Sequence, residues 1–107
     1  MKLTGKCKKD FEKWYNEVQK YNIGWFYRLQ PEYQYGVYVD YFDSVGFIME
    51  IQPICEVKMS GLKTMGYRFY VNGEVKGNVI LNTRPEARTA AIEKANEIYK
   101  PNTTAVG

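Results

Sequence analysis

Acid–base and nucleophilic catalysis draw first on histidine, and the 107 residues of this sequence contain none. A serine or cysteine nucleophile would need a lysine or carboxylate as its base, and no motif places one beside Cys7, Cys55 or any serine. The two cysteines lie far apart without CxxC spacing, a pattern that argues against a disulfide framework or a zinc site. Cys7 falls at an apolar position of a helical stripe and reads as a small core residue. Asp40, with Glu50 or Asp43, is the nearest approach to the carboxylate pair that glycoside hydrolysis or a bridging cation requires. A solvated strand surface is the reading favoured for these residues. The glycines form neither GxGxxG nor GxxxxGK[ST], so nothing favours nucleotide binding. The expectation is a protein without catalytic, metal-binding or cofactor-binding residues, and not an enzyme.

Binding is the chemistry left. Ten Tyr, five Phe and two Trp are about double the aromatic share of an average domain. Aromatics on an open antiparallel sheet can stack bases or anchor a protein interface, with nearby Lys or Arg holding phosphates. Tyr38, Phe42, Arg68 and Tyr70 are the candidates on such a face, joined by Arg84 and Arg88 at the start of the last helix. The net charge of +3 is mild beside that of a dedicated nucleic-acid binder and names no partner.

These side chains must be carried by one small domain. No Pro, Gly or Ser tract divides the chain, and a single α+β domain over 1–101 with a flexible tail over 102–107 is expected. No apolar run approaches the roughly 20 residues that span a bilayer, and Met1–Lys9 lacks the apolar stretch of a secretory signal, so the expected place is the cytoplasm.

The first helix is predicted over Gly5–Asn22, capped by Thr4, with Cys7, Phe11, Trp14, Tyr15, Val18 and Tyr21 on its buried stripe. Trp25–Tyr35, interrupted by Pro31, reads as a connecting segment in which Trp25, Phe26, Tyr27 and Tyr33 cover one end of the core. Gly36–Phe42 and Phe47–Gln52 have strand composition and predict a hairpin joined through Asp43-Ser44-Val45-Gly46, Gly46 suiting the left-handed position such a turn needs, with Val37, Val39 and Tyr41 beside Phe47, Met49 and Ile51 on the buried face if the connection is odd. Pro53 should end that strand, Ile54–Met59 pair weakly at an edge, and Ser60–Gly66 cross as an exposed loop. Tyr67–Val71 and Glu74–Val79 predict a second hairpin around Asn72-Gly73, residues that tolerate the positive φ of a type I′ turn.

Thr83-Arg84-Pro85-Glu86 is a capping box, and the helix after it offers Ala87, Ala91, Ile92, Ala95, Ile98 and Tyr99 on one side before Pro101. The sum is a two-layer α+β sandwich: three to four antiparallel strands with an N-terminal and a C-terminal helix on one face.

The runs Thr83–Arg88 and Ala90–Ala95, with Gly36–Asp40 and Phe42–Gly46, resemble small uncharacterised proteins of phages and prophages. That resemblance implies an accessory protein of a mobile element. The helix–strands–helix order is also similar to the double-stranded-RNA-binding domain, which would give Arg84 and Arg88 the phosphate-contacting place, with Glu86 between them departing from its pattern. The expected partner is a protein, or a second copy of the chain, with nucleic acid as the alternative. Neither a membrane nor a small-molecule substrate is expected.

Overall fold

The computed structural model describes residues 1–75 and 80–99. The elements run α1 (Gly5–Lys13), a π-turn (Trp14–Val18), α2 (Ile23–Phe26), α3 (Pro31–Ser44), β1 (Met49–Lys58), β2 (Gly61–Val71), β3 (Glu74–Val75) and α4 (Arg84–Ile98). The described residues are thus α+β, with an antiparallel sheet and four α-helices. Two long strands make up nearly all of the sheet, to which β3 adds the pairs Tyr70–Val75 and Val71–Glu74. The tail over 102–107, Pro101 and the expected strand residues 76–79 lie outside the described residues.

α1 begins after Thr4, whose side chain caps no α1 amide. It works across the molecule instead: Thr4 N–H donates to Asn96 Oδ1 at 3.0 Å, and Asn96 Nδ2 donates to Thr4 Oγ1 at 2.9 Å. The predicted stripe holds through Cys7, Phe11, Trp14 and Tyr15, then fails, for Val18 and Tyr21 are exposed. The cause is the π-turn, in which Gln19 N–H reaches five residues back to the Trp14 carbonyl. One extra residue per turn rotates everything after it off the buried face. Lys20, at φ 62°, ends the helix, and Asn22 caps the next one by accepting the Gly24 amide at 2.7 Å.

The largest correction is α3. Gly36–Phe42, expected as a strand, lies inside a 14-residue helix with Pro31 in its first turn and Glu32 favourably placed near its positive end. Strand-like composition costs a helix only a few tenths of a kcal/mol per residue, whereas burying a large side chain gains roughly 1.5–3 kcal/mol. Tyr38, Tyr41 and Phe42 are all buried at helical spacing, and packing wins. Asp40 is exposed on this helix and Glu50 on β1, so the candidate carboxylate pair does not share one sheet face. Gly46 does take a positive φ, 94°, but as the residue closing α3. Phe47 N–H bonds the Phe42 carbonyl at 2.7 Å and Gly46 N–H that of Asp43 at 3.2 Å, a Schellman motif sealed by the Phe42–Phe47 ring contact at 5.9 Å.

α3 supplies the aromatic core. Phe11 of α1 sits among Phe26, Tyr38 and Tyr41, with ring centroids 4.9, 4.9 and 5.5 Å away. Phe11, Tyr15, Phe26, Tyr38, Tyr41 and Phe42 thus fill the space between helices, whereas Tyr67, Phe69 and Tyr70 lie on β2 and Tyr21, Trp25, Tyr27 and Tyr33 are exposed. α1 meets α3 through these rings, while α4 lies on β2, its Ala91, Ile92 and Ala95 joining Phe69 and Val71 in the core and its Ala87 also buried, as predicted. The expectation that both terminal helices dock on a sheet face bearing Val37 and Val39 is overturned, because those two valines belong to a helix.

β1 runs through Pro53 without a break. Pro53 faces Tyr67, whose N–H and carbonyl bond Leu81 on its other side at 2.8 and 2.9 Å, so no ladder bond calls on Pro53. Asn72 and Gly73 have φ 55° and 81°, both positive as the type I′ reading requires. Thr83 caps α4 by accepting the Glu86 amide at 3.2 Å.

Candidate functional site

Of the six sequence candidates, Tyr38 and Phe42 are 1% and 0% exposed and present no ring to a partner; they lie in α3 because their spacing serves the core. Arg68 and Tyr70 do stand together on the outer face of β2, opposite Gln52 and Glu50, and both are half-buried. Arg84 and Arg88 are engaged within the chain: their guanidinium carbons lie 4.9 Å over the Tyr67 ring and 5.6 Å over the Tyr35 ring. Among the connecting aromatics Phe26 is buried, whereas Trp25 and Tyr33 are exposed, and no ring contact joins those two.

The buried thiol and phenols of the helical layer are held in their neutral forms. Burial, with Asp10 nearby, pushes the Cys7 thiol up to about 12, so it is no thiolate at neutral pH. Burial likewise raises Tyr38 and Tyr41 to about 12. Tyr99 donates to Asp10 Oδ2 at 2.7 Å and lies 2.8 Å from the Tyr41 hydroxyl. With its one proton given to Asp10, Tyr99 accepts from Tyr41. Burial raises the Asp10 carboxyl, but hydrogen bonds from Tyr99 and Lys6 outweigh it and hold the group below its usual range. This chain of groups ties α1, α3 and the end of α4 together and brings no nucleophile to a base.

A cleft of about 340 Å³ opens between Met1–Leu3, Lys8, Tyr27, Gln34 and Tyr38. It holds lysines but no buried charged group. Among the described residues, no cluster of three or more Cys, Asp or Glu could hold a metal ion.

The feature that sequence reading missed is the outer half of the β1–β2 ribbon. Paired residues share a face, so Met49–Val71 and Ile51–Phe69 define the core side of the sheet. The same side continues outward as Cys55–Thr64 and Val57–Leu62, past a bulge that leaves Met65 as the extra residue of β2. Over these outer pairs, about 13 Å of ribbon at roughly 3.3 Å per residue, no residue is buried. Val57 is 82% and Leu62 73% exposed, Met59 at the tip is fully exposed, and Met65 is half-exposed. The opposite side carries Glu56 across from Lys63, and Lys58. The arm is thus two-faced, apolar where it prolongs the core and charged behind. The alternation Cys55-Glu56-Val57-Lys58 carried the signal, but Pro53 and the glycines at 61 and 66 masked it.

Comparison of the chain with protein-family models, with curated proteins and with solved structures finds no match. Among the described residues, no helix is long and apolar enough to cross a membrane.

Proposed function

We propose that this chain is a non-enzymatic accessory protein that binds a protein partner through the apolar face of its projecting β-arm. One observation carries the reading: the core-facing side of the sheet runs on past its buried part as the exposed pair Val57–Leu62, with exposed Met59 at the tip and Met65 at the bulge beside it. An exposed apolar surface of this kind, backed on the other side of the ribbon by Glu56, Lys58 and Lys63, has the composition of a protein contact. The likeness of Thr83–Ala95 to small phage and prophage proteins supports service in a mobile element.

The test compares the wild-type chain with Val57→Lys/Leu62→Lys, both immobilised and exposed to extract of the source cell. The double variant keeps its circular dichroism and loses the captured partner. The same captured proteins on both surfaces would overturn the reading. So would binding to RNA or DNA that falls steeply between about 50 and 200 mM salt, the mark of phosphate contacts.

A further inference from the structure

The geometry points to a specific partner for this arm: we propose that two copies of the chain pair along the outer edges of their β1 strands, antiparallel about Ile54. The inference rests on the arm being a binding surface and names what it binds.

β1 is the edge strand of the sheet, since the order is β1-β2-β3. The direction of its free groups follows from its neighbours. Tyr67 turns its N–H and carbonyl away from β1 toward Leu81, so its partner Pro53 turns its own backbone outward. Ile48, of opposite parity, bonds inward: its N–H donates to Asn72 Oδ1 and its carbonyl accepts from Asn72 N–H, both at 2.7 Å. The outward groups are therefore those of Met49, Ile51, Pro53, Cys55 and Val57. Among the described residues no backbone hydrogen bond from another element reaches that edge.

An antiparallel pair keeps outward groups opposed only in registers two residues apart. Centred on Pro53, Glu50 would face the partner's Glu56, like against like. Centred on Cys55, no acid meets a base. Centred on Ile54, Glu50 of each copy faces the partner's Lys58, twice by symmetry, and Gln52 faces the partner's Glu56. On the other side of the sheet the same register sets Val57 beside the partner's Ile51, with Met59 in the turn just past the end of the pairing. Val57, 82% exposed in one copy, thus extends the core layer of the other. Pro53 lacks one N–H, so the seam loses one bond per copy. The far edge of each sheet is not β1, so pairing closes at two copies.

Sedimentation velocity over a concentration series reads the mass directly. The wild type is a dimer; Glu50→Lys and Lys58→Glu each weaken it by about tenfold, and the double exchange restores it, because two exposed ion pairs are converted to repulsion and back. In a Cys55→Ser background, Ile54→Cys forms a disulfide-linked dimer on mild oxidation, since residues opposed in a non-hydrogen-bonded pair have Cα atoms about 4.5 Å apart, within disulfide reach. A chain that stays monomeric throughout the series overturns the pairing, as does a dimer indifferent to the charge reversals and not trapped by Ile54→Cys. If the chain is monomeric yet Val57→Lys/Leu62→Lys still abolishes capture of another protein, the self-pairing falls and the arm reading stands.

Discussion

The Tyr99 hydroxyl donates to Asp10 at 2.7 Å, joining the residue that ends α4 to the second turn of α1. Lys6 lies 3.1 Å from the other carboxylate oxygen, and Tyr41 completes the chain from α3. Removing the hydroxyl with Tyr99→Phe keeps the ring contacts with Tyr41, Phe42 and Phe47 and deletes both hydrogen bonds. Asp10 retains partial contact with water, so the loss is about 1 kcal/mol, read as a lower urea midpoint at unchanged slope.

Alkaline pH attacks the same layer. Burial raises Tyr38 and Tyr41 to about 12, and burial with hydrogen bonding raises Tyr99. In the unfolded chain these phenols ionise near pH 10. A raised folded value means that the unfolded state loses its protons first, so stability is whole below pH 10 and falls as pH climbs toward about 12. Absorbance at 295 nm should show these tyrosines ionising together with the loss of near-ultraviolet dichroism. Smooth titration with the fold intact would refute this.

Two helix ends solve one problem with different residues. Lys20, at φ 62°, carries a Cβ in the left-handed region, whereas Gly46, at φ 94°, carries none. Lys20→Gly should therefore stabilise the chain by about 0.5–1 kcal/mol, and Gly46→Ala should destabilise it by about 1 kcal/mol or more. Thermal midpoints moving in opposite directions would bear this out.

Gly66 is needed for closeness. A Cβ there would lie 2.8 Å from the Leu81 carbonyl oxygen and collide with the Ile80 side chain. Gly66→Ala should cost about 1–3 kcal/mol and speed hydrogen exchange at the Tyr67 and Leu81 amides, which bond across this bridge.

Ala91 is fully buried where α4 meets the sheet layer. Ala91→Leu overpacks that contact by about 1–3 kcal/mol, whereas Ala→Leu at an exposed helical site would be nearly neutral by propensity. Chemical denaturation separates the two.

Features set by neighbours along the chain were legible. The Asn72-Gly73 turn, the Thr83 cap and the alanine face of α4 depend on backbone torsions and short spacings, which composition reports directly. Even Gly46 was legible as a left-handed residue, though its role was assigned to a hairpin instead of a helix end.

Tertiary structure decided the rest. Val37-Tyr38-Val39 has the local preferences of a strand, and only the space beside Phe11 and Phe26 made a helix the better burial. The arm shows the converse. Its alternation is written in Cys55–Lys58, yet whether Val57 and Leu62 are core or surface depends on how far α4 extends over the sheet. Local preferences are worth tenths of a kcal/mol and travel with the sequence. Burial is worth several-fold more, and it exists only once distant segments have met.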